Sequence, residues 1–170
     1  MDLIFLDFDG VLHPDEVYLK KGVPTLVGPG HLFMWAGELE QILAPYPNVG
    51  LVLSTSWCVH RGYKRARAAL PASLQERVIG STWHSQMNRA EFLDRMPRFH
   101  QILGWLARCN PKPRRWVAID DDGAGWAEMN LDMLIHTNGA TGLSDPSVQT
   151  QLRDRLAEWE SEKAAGPITG

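Results

Sequence analysis

Apolar and polar positions follow two kinds of pattern along this chain. Short, mostly apolar runs occupy residues 3–6, 49–53, 78–79, 116–119 and 133–136. Runs of that length and composition predict buried strands. Between them, apolar residues recur at helical spacing. Leu32, Trp35, Leu39, Ile42 and Leu43 predict one helix, stopped by Pro45 and Pro47. Phe99, Ile102, Leu103, Trp105 and Leu106 predict another over 97–109, and a basic stretch from His60 to Leu70 predicts a third. Val148, Leu152, Leu156 and Trp159 mark an amphipathic closing helix over 145–160, with Ser144 or Asp145 as N-cap and Pro146 in its first turn. Residues 13–30 are rich in Pro and Gly and read as a loop or short flap, residues 83–95 as an irregular polar lip, and 166–170 as a frayed tail. Strands alternating with helices predict βαβ units. The expected fold is a doubly wound, mainly parallel five-stranded Rossmann-like sheet with helices on both faces. Residues 1–165 read as one domain, the 13–30 flap being too short for a second.

The residues at the strand ends carry the chemistry. The first run ends in Asp7, Phe8, Asp9 and Gly10, the second in Ser54, Thr55 and Ser56, the fourth in Asp120, Asp121, Asp122 and Gly123. Parallel strands bring their carboxyl ends to one edge of the sheet, where ligands bind in open α/β folds. Asp7 and Asp9, two apart, share a face and point into that crevice. Carboxylates so close repel unless a cation or a shared proton compensates them. The strand ends therefore build an acidic site suited to a metal ion.

Composition narrows the options. The chain has 170 residues and a net charge of −3, which gives no overall electrostatic case for nucleic-acid or membrane binding. The run Arg61, Lys64, Arg65 and Arg67 can line an entrance for an anionic polymer, but reads first as a solvated helix face. Cys58 and Cys109 form no CxxC pair, which suits a reducing cytoplasm. No signal peptide and no membrane span is expected. The six histidines show no paired metal spacing; His13 lies nearest the acidic site. The seven tryptophans are scattered and read as core.

The order of parts resembles the haloacid dehalogenase (HAD) superfamily of phosphohydrolases. The resemblance rests on Asp7-Phe8-Asp9-Gly10-Val11, on the Ser/Thr of Leu51-Val52-Leu53-Ser54-Thr55-Ser56-Trp57, and on the acidic pair of Trp116-Val117-Ala118-Ile119-Asp120-Asp121. More narrowly, the chain is similar to a HAD domain of bacterial RNA-repair-type proteins. That likeness rests on Ser54-Thr55-Ser56-Trp57, Arg98-x-x-x-Ile102-x-x-Trp105-Leu106, Asp120-Asp121 and Thr141-Gly142-Leu143-Ser144-Asp145.

The resemblance implies a phosphatase in which Asp7 is the nucleophile and Asp9 the general acid and base. It implies Mg²⁺ held by Asp7, the Asp9 carbonyl and Asp121, with Asp120 helping directly or from behind. Which of Asp120, Asp121 and Asp122 meets the metal stays open. Thr55 would donate to a phosphoryl oxygen, with Ser54 as the alternative; Gly10 and Ser56 complete the substrate-binding set. The implied cation is Arg98, with Arg95 and Lys112 as alternatives. An uncapped site implies bulky phosphorylated substrates, such as RNA or DNA termini or a phosphoprotein. The rival reading is a non-catalytic HAD-like module that binds RNA or protein. Retention of both Asp7 and Asp9 weighs against it, since binding alone needs no nucleophile and acid.

Overall fold

A computed structural model describes residues 1–165, with side chains through Glu162. Five parallel strands form one sheet: β1 (Asp2–Leu6), β4 (Val49–Leu53), β5 (Val78–Ser81), β6 (Arg115–Asp120) and β7 (Leu134–His136), in the order β5-β4-β1-β6-β7. The remaining strands, β2 (Val17–Lys20) and β3 (Val23–Leu26), make an antiparallel hairpin within the expected flap. It turns at Lys21 and Gly22, both at positive φ (51° and 79°), as a two-residue hairpin turn matched to strand twist requires.

The solid apolar runs are explained by the layers. Along β1, Ile4 and Leu6 join one buried cluster while Leu3 and Phe5 join the opposite one; Leu51, Leu53 and Val52 of β4 divide likewise, as do Val117, Ile119 and Ala118 of β6. Alternate residues of a strand face opposite ways, so a sheet covered on both sides leaves no polar position. The first layer comprises α1 (Ala36–Leu43), α7 (Pro146–Ala165) and the short helices α2 (Ser56–Arg61), α3 (Tyr63–Ala68) and α4 (Ala72–Arg77). The second contains α6 (Arg98–Arg108), whose Phe99 and Ile102 pack against Trp126 and Leu134. Arg115 ties α7 to the sheet through Asp2, Glu162 and the Trp159 carbonyl.

The structure corrects the expected outline in three places. The basic stretch is not one helix: Gly62, at φ 82° and ψ 148°, separates α2 from α3. The lip over 83–95 contains a helix, α5 (Arg89–Asp94), capped by the Asn88 side chain on the Glu91 amide. The unexpected α4 precedes β5. The tail expected at 166–170 lies outside the described residues. Among the described residues, no helix is long and apolar enough to cross a membrane.

Register sets the site. Leu6 pairs with Leu53 on one side and with Ile119 on the other. The next residues, Asp7, Ser54 and Asp120, therefore emerge level with one another. Two further ladder bonds fix them: the Asp7 amide donates to the Ile119 carbonyl (3.1 Å), and the Ser54 amide to that of Leu6 (2.8 Å).

Candidate active site

Asp7, Asp120 and Asp121 each offer a carboxylate oxygen, and these atoms lie within 4.8 Å of one another. Asp7 and Asp120 are buried. Arg98, the first residue of α6, enters from the second layer: its Nη2 donates to Asp7 Oδ2 at 3.0 Å, and its Nε lies 2.9 Å from Asp120 Oδ2. The latter contact is an ion pair without hydrogen-bond alignment, so Asp120 Oδ2 is buried with no hydrogen bond. Gln101, one turn on, accepts from Arg98 Nη1 (3.3 Å) and is itself anchored on the Phe92 and Met96 carbonyls.

One guanidinium does not balance three close carboxylates. Burial raises the Asp7 pKa; Asp9 adds to the rise, while Arg98, the Phe8 amide (2.7 Å from Oδ1) and the Thr55 hydroxyl oppose it. Burial and then the charge of Asp7 push Asp120 well above the ordinary carboxylate range. The same two causes, with Asp15, push Asp121 up to about 6. Arg98 is correspondingly held in its charged form by Asp7 and Asp120 against the cost of burial. Two buried carboxylates and a half-buried third, with excess negative charge and one orphaned oxygen, fit a hard divalent cation.

Asp9 occupies a different environment. Trp57 Nε1 donates to both its oxygens, at 3.0 and 3.1 Å, and His13 Nε2 lies 3.0 Å from Oδ1. The Phe33 amide donates to His13 Nδ1 (3.2 Å), so the imidazole proton sits on Nε2 and faces Asp9. Phe33 holds a positive φ of 62°, a strained conformation for a large side chain. Trp57, Phe8 and Phe33 pack edge to face around this arrangement. The Asp9 side chain is about a quarter exposed (26%) and lines a narrow cleft of about 120 Å³ with Tyr18, Leu19, Trp57, His60 and Arg61.

The other expected residues divide. Gly10 has φ 71°, and a Cβ there would overlap the Asp121 carboxylate; its carbonyl accepts from Thr137 Oγ1 (2.8 Å). Thr55 caps α2, its Oγ1 accepting from the Trp57 amide (3.4 Å), while lying beside Asp7. Ser54 Oγ is buried with no hydrogen bond. Ser56 borders both the Asp9 cleft and an outer depression shared with Arg95 and Arg98. Lys112 is not at the site: its Nζ caps the end of α6 on the Leu106 and Ala107 carbonyls. Asp122 accepts from the Ala124 amide as a turn residue. Arg67 is likewise engaged elsewhere, donating to the Gln75 carbonyl (2.9 Å).

Three neighbours have no role assigned by the sequence. His13 stands out there only by its proximity, Trp57 only as part of a motif, and Asp15 not at all. Asp15 reaches the acidic cluster because its amide donates to the Gly139 carbonyl (2.9 Å).

Residues 3–148 match the family model described as the HAD domain in Swiss Army Knife RNA repair proteins. The match covers most of the chain, and the chain belongs to that family. No curated protein and no solved structure gives a significant match. Fold, acidic cluster and family together define a HAD-type, phosphatase-like domain.

Proposed function

We propose that residues 1–165 form one catalytic domain, a Mg²⁺-dependent phosphatase acting on phosphomonoesters at nucleic-acid ends. One observation carries the reading: Asp7 and Asp9, two residues apart, sit in opposed settings. Asp7 lies in the cluster with Asp120, Asp121 and Arg98, while Asp9 stands outside it, held by Trp57 and His13 at the edge of a cleft. Separate partners leave the two carboxylates available for different roles.

In this reading Asp7 attacks phosphorus, forming an Oδ–P bond as the P–O bond to the leaving alcohol breaks. Asp9 gives its proton to that leaving oxygen. Water then attacks the aspartyl-phosphate, giving its proton to Asp9, and the Oδ–P bond breaks to release phosphate. Arg98 and Thr55 stabilise the phosphoryl oxygens or orient Asp7 beside them. Ser54, Ser56 and the Gly10 loop border the space the phosphoryl group would take. Mg²⁺, held by Asp7, Asp121 and the Asp9 carbonyl with Asp120 behind, would supply charge neutralisation at the phosphoryl group.

Several facts support the substrate class and the setting. The family is described by RNA repair, and the Asp9 cleft is bordered by Tyr18, His60 and Arg61 rather than by further acids. Both cysteines are free, which suits the cytoplasm. The test is phosphate release from p-nitrophenyl phosphate and from 3′- and 5′-phosphorylated oligonucleotides, for the wild type and Asp7→Asn. Turnover that requires Mg²⁺ and vanishes in Asp7→Asn is expected. Undiminished turnover by Asp7→Asn would remove the covalent mechanism. Inertness toward oligonucleotides and phosphopeptides alike would move the binding-module reading ahead.

A further inference from the structure

Arg61 borders the narrow cleft beside Asp9, and the same residue lines a second, larger groove of about 660 Å³ at the outer edge of the sheet. This groove runs between the α2–α3 corner and the end of β5. Its walls carry three large aromatic side chains, Tyr63, Trp83 and Trp105, beside the imidazole of His84, and three cations, Arg61, Lys64 and Arg65. Among the described residues, no carboxylate lines it. It abuts the catalytic region through Cys58, a buried lining residue whose thiol feels the charges of Asp7 and Arg98.

The cations of this run are not equivalent. Arg67 is spent on the Gln75 carbonyl, and Arg77 on the carbonyls of Leu43, Tyr46 and Val49. Among the described residues, the side chains of Arg61, Lys64 and Arg65 make no hydrogen bond or ion pair. The three side chains that border the groove are therefore the ones left uncompensated. Each of the three rings is only partly buried, Trp83 meeting Phe92 edge to face at 5.0 Å.

We propose that this groove is a binding track for single-stranded nucleic acid, holding nucleotides beyond the scissile end. Partly exposed rings accept bases by stacking without reading sequence, and cations with no ion-pair partner attract the backbone. Arg61, shared by the two depressions, makes the track continuous with the cleft beside Asp9. The inference rests on the phosphatase reading only in treating the strand as the tail of the substrate. An acidic peptide would satisfy the cations but offer no flat face to the exposed parts of the rings.

The test is fluorescence anisotropy with a labelled, unphosphorylated uridine or thymidine homopolymer of about ten nucleotides, a length suited to a single groove. Chelator replaces Mg²⁺, and salt is varied. Either backbone bound by the wild type supports the track, and the two arms report which sugar it prefers. The Lys64→Glu/Arg65→Glu double variant is expected to bind about tenfold or more weakly, with the salt slope reduced by about two. Tyr63→Ala is expected to weaken binding about fivefold or more, and Tyr63→Phe to restore it. Lys64→Gln/Arg65→Gln serves if charge reversal impairs folding, judged from melting temperature. Absence of wild-type binding, unchanged affinity in the charge variants, or equal competition by polyglutamate would overturn the proposal. Because the probe has no terminal phosphate, a failure here is separate from a failure of Mg²⁺-dependent hydrolysis.

Discussion

The indole Nε1 of Trp57 reaches across to Asp9 and touches both carboxylate oxygens, at 3.0 and 3.1 Å. A bridging donor fixes the plane of the carboxylate and so the direction in which its proton can travel. Trp57→Phe keeps a ring against Phe8 and Phe33 but removes that donor. We predict a cost of about 1 kcal/mol in stability, the ordinary worth of one hydrogen bond. Turnover of alkyl phosphates, whose leaving oxygen needs a proton, should fall about tenfold to a hundredfold. Turnover of p-nitrophenyl phosphate should fall far less, because its leaving group departs unprotonated. Comparing kcat for the two substrate types checks this; equal losses would show that Trp57 acts only as packing.

Among the described residues, Arg98 is the one cation placed against both Asp7 and Asp120. Removing one partner of a buried ion pair strands the other, so Arg98→Ala should cost about 3–5 kcal/mol. Arg98→Lys should rescue only part of this, since an ammonium cannot face two carboxylates as a planar fork does. Urea midpoints at neutral pH give the answer. A loss within the range of an ordinary surface substitution would mean that the two aspartates are neutralised in some other way.

The acidic cluster also sets a pH dependence for the metal-free protein. Asp121 titrates at about 6 against 3.8 in an ordinary setting, and Asp7 and Asp120 are raised as well. A raised value means the native state holds protons that the unfolded chain has released. The associated stability is full below about pH 4 and is lost as pH rises through 6 and beyond. Asp145, lowered by Ser147, titrates beneath that window. We predict that in chelator the melting temperature is higher near pH 5 than near pH 7.5, and that Mg²⁺ raises it more at the higher pH. Thermal melts with and without Mg²⁺ decide it, and a Mg²⁺ shift of the same size at both pH values would rule the cluster out as the binding site.

How much of the molecule was legible depended on how local each signal was. The strand 49–53 is apolar throughout because both its faces are buried, and that alone exposes it in the sequence. Asp7, Asp9 and the Asp120–Asp121 pair could be placed together because parallel strands must finish together. The helices α4 and α5 gave no signal: each has six residues and one buried side chain, Leu74 or Phe92, too few to show a period. Trp57 lies 48 positions from Asp9, and its indole contact depends on where α2 begins. Arg98 is the expected cation and Lys112 an alternative; what rules Lys112 out is that the end of α6 claims it for its free carbonyls.

The bond from Arg98 to Asp7 joins positions 91 residues apart. Closing so long a stretch of chain is costly until β1, β4 and β6 have already paired. The acidic cluster thus has no local seed: a fragment without the first strand lacks Asp7, and one that ends before the sixth lacks Asp120 and Asp121. A chain cut between them that drifted apart would retain helices and hydrophobic surface yet lose the Arg98–Asp7 contact and the acid cluster in one step. The cluster is a property of the closed sheet, so on partial unfolding it should be lost abruptly rather than gradually.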